Sequence, residues 1–344
     1  MINNFEDNIK DLLSQDIKIP DSVLSKAELA FEQIRYSEDV KTTKFKEFKR
    51  QSIAAVAVIC VLSLTVFGGS AFALIRALFS DKGIQNAVEN GYVQSSLGNV
   101  VKDNGVAISV DDIVVDKTKM AVSFTLNFDD KSKLRNVSDI LLGLTIKDYK
   151  GIIIEEDGNA DSVVRGLFSK IDASQKEKGE LKYYLEMYST SGEITGIDNV
   201  IIDINSVNLF EEDKGKNIEN INGNWKFSLK LDDKFTESKE IKFRAENKSD
   251  IIEIVSAKML PTGMSIECIV NKPVDENIIN KINLIDEQGN IYIPSPIASI
   301  DSISNNRNVI KLTFDATLFQ SKDKLIMRIR DIYGKNEEIR LVKE

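Results

Sequence analysis

The run "MAVSFTLNF", residues 120–128, alternates without a break. Met120, Val122, Phe124, Leu126 and Phe128 fall on one side and Ser123, Thr125 and Asn127 on the other. A period of two with β-branched and aromatic residues predicts a strand with one buried and one wet face. The preceding "VAISVDDIVV" joins it through "DKTK", which reads as a hairpin. The same alternation returns in "LKYYLEMY", with Leu181, Tyr183, Leu185 and Met187 opposite Lys182, Tyr184 and Glu186. It returns again in "NWKFSLKL", which sets Trp225, the single tryptophan, with Phe227, Leu229 and Leu231. Further strand-like segments follow to the end of the sequence, separated by turn residues in "DEQGN" and "YGKNEE". "LPTG", residues 260–263, reads as a tight turn rather than a sorting signal, because no apolar tail follows it.

Closely spaced strands with polar turns predict a mainly β fold with two immunoglobulin-like antiparallel β-sandwich domains. The expected boundaries are 106–245 for the first sandwich and 246–344 for the second. Residues 76–105 form a juxtamembrane helix and linker, with Ser80 as cap, Ile84, Val88 and Tyr92 as its stripe and Gly91 at its end.

Upstream, Ser52–Leu74 carries no charge over 23 residues. As a helix it would span about 34 Å, enough for a bilayer core. Residues 51–75 are therefore read as one transmembrane helix in contact with the lipid bilayer. Lys41, Lys44, Lys46, Lys49 and Arg50 stand before it against Glu47, which places the N-terminus in the cytoplasm and the β domains outside the cell membrane. Ala71 and Ala73 form an A-x-A pattern of the kind that signal peptidase reads, so membrane proteases enter as partners of a cleavage site there.

Residues 1–50 form a cytoplasmic helical segment. Its first 40 residues hold nine acids and four bases. Phe5, Ile9, Leu12 and Leu13 make one helical stripe, and Val23, Ala27, Ala30, Phe31 and Ile34 make a second. A segment this short cannot bury both stripes by itself, so they imply a partner. Ile9, Leu12, Leu13, Val23, Ala27, Phe31 and Ile34 are the expected docking face.

Composition excludes several chemistries. The chain has no histidine and a net charge of −9, so neither a His-based catalytic set nor direct nucleic-acid binding is expected. Cys60 lies in the apolar run and Cys268 in a strand, so no disulfide or zinc site is expected. The acidic stretches "FDDKSK", "EEDGNAD" and "NLFEEDKGK" lack the spacing of a defined calcium loop. No metal, cofactor or catalytic residue is assigned, and the chain is not read as an enzyme.

The stretch "GGSAFALIRALFSDKGIQNAVENGYVQ" together with "NGNWKFSLKL" resembles a single-pass membrane family of Gram-positive bacteria, the one built on domain of unknown function 4179 and followed by an immunoglobulin-like domain. The resemblance covers roughly residues 45–245 for the named domain and 246–344 for the second. It implies an anti-sigma factor whose cytoplasmic segment holds an extracytoplasmic-function sigma factor, while the outer domains receive a signal from an envelope ligand. The zinc-type anti-sigma motif is absent, so this role would rest on the metal-free helical stripes. The alternative is an envelope-binding or adhesive surface protein whose N-terminus is only an anchor.

Overall fold

The computed structural model describes residues 79–344 apart from 96, 98–99, 157–161, 190–191, 212–215, 275, 296, 305–306, 321 and 333. The uncharged apolar run at residues 52–74, expected to span the membrane, and the segment before it lie outside these residues. Among the described residues no helix is long and apolar enough to cross a membrane.

The described residues begin at Phe79, and the first element is helix α1, Lys82–Glu89. Asp81, not Ser80, is its cap: Asp81 Oδ1 accepts from the Ile84 N–H at 2.8 Å. Ile84, Ala87 and Val88 bury one side of α1, and Gly91, at φ +75°, turns the chain out of the helix.

The first β module follows. Its strands are β1 (Gln94–Ser95), β2 (Val100–Asp103), β3 (Val106–Val115), β4 (Lys119–Phe128), β5 (Val137–Asp148), β6 (Ile153–Glu156), β7 (Val164–Asp172), β8 (Glu180–Ser189), β9 (Asn199–Glu211) and β10 (Lys216–Lys230). One sheet runs β1-β3-β4-β8-β7, with β2 on the same edge of β3. The other runs β10-β9-β5-β6. Every pairing is antiparallel. Side chains from both sheets share one core, with Phe124 and Leu185 from the first and Ile204 and Trp225 from the second. Trp225 is fully buried and its indole N–H donates to the Val106 carbonyl at 3.0 Å, tying the second sheet to the first. The short helix α2, Asp233–Thr236, closes this core with Phe235.

The second module contains β11 (Ile241–Ala245), β12 (Ile252–Leu260), β13 (Gly263–Val270), β14 (Ile282–Asp286), β15 (Ile291–Tyr292), β16 (Ser299–Ser304), β17 (Arg307–Phe314), β18 (Lys324–Ile332) and β19 (Lys335–Lys343). These strands form a single antiparallel sheet in the order β15-β14-β18-β19-β11-β12-β13-β17-β16, curled around its own core. The link between its halves is β11. Ile241 and Lys242 pair with β12, and Phe243–Ala245 pair with β19. The sequence boundary near Ala245 thus falls after a strand whose Phe243 lies in the second core.

The turn expected at 260–263 is present as a two-residue hairpin, with Leu260 opposite Gly263. Cys268 is buried in the second core, and burial pushes its thiol up to about 12.

The expectation of a wet face fails on β8. Tyr184 and Glu186 are as buried as the core residues beside them, and Ser123 on β4 is covered as well. The cover comes from distant chain: Phe79 meets the Tyr184 ring edge-on, and the backbone of Ser80 and Asp81 lies on Glu186.

Candidate functional site

The covered end of this sheet is a junction where α1, the β3–β4 hairpin and the second module converge. At its centre is Lys119, the first residue of β4, whose side chain has no solvent exposure. Its Nζ lies 2.7 Å from Asp81 Oδ2 and 3.7 Å from Asp315 Oδ1, and sits over the Tyr188 ring. Burial alone would push this amine's pKa down. Asp81 and Asp315 more than reverse that, so it is raised.

Tyr188 projects from the same face of β8 as Glu186. Its Oη lies 3.0 Å from Asp81 Oδ2 and 3.1 Å from Glu186 Oε2. The other Glu186 oxygen accepts from the backbone N–H of Ser80 and of Asp81. Burial first, and then the charge of Asp81, raise the Glu186 pKa above the ordinary carboxylate range. Asp315 is raised as well, again by burial and then by Asp81.

The second module docks through Asp116 in the β3–β4 turn, another side chain without exposure. Asp116 Oδ1 accepts from the Thr118 N–H, the Thr118 hydroxyl and the Lys119 N–H at 2.8, 2.9 and 3.1 Å. Its Oδ2 reaches across to the β12–β13 turn and accepts from Thr262. Helix α1 touches the same turn. A Cβ on Gly83 would stand 2.0 Å from the Thr262 carbonyl oxygen, so only glycine permits this approach. One turn further along α1, Asn86 Oδ1 accepts from the Thr317 hydroxyl. Around the rim, Lys117 pairs with Glu240 at 2.7 Å, and Lys258 pairs with Glu193 at 2.7 Å. These pairs are partly exposed and contribute little stability.

A cavity of about 150 Å³ lies beside this rim between Glu193, Ser189, Lys258 and Lys311. Its lining mixes both charges. Among the described residues no group of three or more Cys, Asp or Glu side chains is arranged to hold a metal ion.

The docking residues Ile9, Leu12, Leu13, Val23, Ala27, Phe31 and Ile34, and the cleavage pair Ala71 and Ala73, lie outside the described residues. The acidic stretch at 128–133 is used locally. Asp129 pairs with Lys102 at 2.7 Å, and Asp130 accepts from the Ser132 N–H at 3.0 Å. The Asn247 side chain, part of a glycosylation sequon in the sequence, donates to the Glu338 carbonyl and accepts from the Arg340 N–H.

Sequence reading missed the junction. Lys119 falls at the edge of a predicted turn, and no chemistry is predicted for residues 76–105. The available signal is Asp81, an acid three positions before Ile84, the first residue of the helix stripe, where a cap is expected.

No curated protein matches this chain. Among solved structures it is similar to the crystal structure of the conserved domain protein from Bacillus anthracis. The identity is 16%, the alignment covers 74% of this chain and 90% of that one, and the TM-score is 0.42. Residues 43–128 match the family model of the domain of unknown function DUF4179, from the basic patch through the end of β4, a shorter span than the 45–245 implied by resemblance.

Proposed function

We propose that the chain is a membrane-anchored, non-catalytic signalling regulator. Its N-terminal segment sequesters an extracytoplasmic-function sigma factor, and its outer β modules receive the state of the cell envelope. The observation that carries this reading is the pair of apolar stripes in the first 40 residues, on an acidic segment too short to bury them, directly before a basic patch and an uncharged run of 23 residues. The DUF4179 match supports it by taking the basic patch, the apolar run and the first hairpin as one unit.

The fold supplies a physical route for a signal. Phe79 is buried, and the chain from there through α1 is packed on both β modules, so a rearrangement of either module acts on the segment that leads to the anchor. The finer fold reading, immunoglobulin-like sandwiches, belongs to the same proposal. Its support in the second module is β11, which divides its pairing between two halves of the sheet.

The test is affinity capture with the full-length, detergent-solubilised chain from its own cells. One sigma factor is expected to co-purify, and to be lost when Leu12, Leu13 and Phe31 are each replaced by Asp. Capture that survives those changes overturns the docking face. If no sigma factor is captured and the outer modules bind wall polymer, the reading gives way to an envelope-binding surface protein.

A further inference from the structure

The proton inventory around Tyr188 does not close with ordinary charges. A phenol has one proton, and an ionised carboxylate can only accept. Yet Tyr188 Oη lies at hydrogen-bond distance from two carboxyl oxygens, Asp81 Oδ2 at 3.0 Å and Glu186 Oε2 at 3.1 Å. One phenolic proton serves one of them. The second contact needs a proton on a carboxyl group. Asp81 Oδ2 also receives Lys119 Nζ at 2.7 Å, which leaves Glu186 as the group to carry it. We infer that Glu186 is a carboxylic acid in the folded protein, donating to Tyr188, and that this proton latches residues 79–89 onto the first sheet.

The surroundings agree. Glu186 is faced by Asp81 from the α1 segment and Tyr188 on its own strand; behind them Lys119 of the hairpin lies near Asp81, Asp116 and Asp315, and Lys82 lies near Asp315. Lys119 is the buried amine of this cluster, and it is already shared by Asp81 and Asp315. A negative charge on Glu186, buried and set against Asp81, would be weakly hydrated and poorly compensated. A neutral Glu186 relieves this and still accepts the N–H groups of Ser80 and Asp81.

The sign follows from linkage. An acid whose folded-state pKa is raised holds its proton more tightly folded than unfolded. Its contribution is present in acid and is lost as pH rises through the raised value. The latch is therefore closed below that raised value. As pH rises, the Glu186 proton passes to bulk water. The resulting carboxylate competes with Asp81 for the single Tyr188 proton, and Ser80–Asp81 is pushed away from β8. This inference goes beyond the sigma-factor reading and does not depend on it.

The test uses the full-length chain in detergent, labelled with ¹³C at the glutamate carboxyl, in a pH titration by NMR. One glutamate is expected to titrate well above the others, and that signal is expected to vanish in Glu186→Gln. No late-titrating glutamate, or one that persists in Glu186→Gln, overturns the inference. Hydrogen exchange reads the helix. After correction for intrinsic rates, protection of the Ile84 and Val88 amides is expected to fall with rising pH in the wild type and to stay level in Glu186→Gln. Equal pH profiles in the two proteins overturn the latch. The wild-type titration requires no variant, so misfolding of Glu186→Gln leaves the decision to it.

Discussion

Thr262 donates both its backbone N–H and its hydroxyl to Asp116 Oδ2, at 2.8 and 2.6 Å. The two residues are 146 positions apart, and both side chains are fully buried. The second module is thus held to the first hairpin by a carboxylate without access to water. Asp116→Ala strands the Thr118, Lys119 and Thr262 N–H groups, and each stranded donor costs about 1–3 kcal/mol. Thr262→Ala removes one hydroxyl and leaves the backbone donor in place, a loss of about 1 kcal/mol. Calorimetry of the two variants is expected to rank Asp116→Ala as clearly the more damaging. Equal losses would mean that the carboxylate does not organise this contact.

Gly83→Ala separates helix propensity from docking. In an exposed helix the change stabilises by about 1 kcal/mol. Here the added methyl would stand 2.0 Å from the Thr262 carbonyl oxygen, and that atom is backbone. The variant is expected to lose protection of α1 against hydrogen exchange. Increased protection would show that α1 does not rest on this turn.

Trp225 fills the centre of the first module and bonds to the Val106 carbonyl. Trp225→Ala is expected to cost about 3–5 kcal/mol, read as a lower urea midpoint by circular dichroism. Because the chain has one tryptophan, its fluorescence in the wild type follows unfolding of the first module alone.

Asp286 gives the second module the opposite pH response to the Glu186 latch. Burial pushes its carboxyl up, but the Lys322 ammonium at 2.6 Å and hydrogen bonds from Asn290 and Tyr292 bring it well below the ordinary range. A depressed folded-state value stabilises above the unfolded pKa of about 3.9, and the gain disappears as pH falls through the folded value. Asp286→Asn is therefore expected to be less stable than the wild type at neutral pH, with the gap closing in strong acid. A gap that is constant with pH would exclude the ion pair as its source.

Much of the fold was legible because alternation is a local property. Residues 120–128, 181–187 and 225–231 place the predicted side chains in the core, and the hairpin at 260–263 is where its proline and glycine put it. The second face of β8 was not legible. Tyr184 and Glu186 alternate as a solvated face would, and nothing within β8 records that Phe79 and Ser80, more than a hundred positions away, will cover them. The α1 cap shows the same limit. Ser80 and Asp81 are both good caps, and nothing local to the pair records that Asp81 takes the Ile84 N–H while its other oxygen meets Lys119 and Tyr188. In the second module the strands were readable one by one. Their closure into a single sheet depends on β11, whose divided pairing has no local signature.

That division also orders events during synthesis. The first strand of the second module to be made, β11, leaves Phe243–Ala245 without their partners until Leu341–Lys343 of β19 arrive. Until that ladder forms, the module presents an open strand edge and an apolar Phe243, features that invite aggregation and proteolysis. Closure of the module thus waits on a three-residue ladder whose second strand is made well after β11.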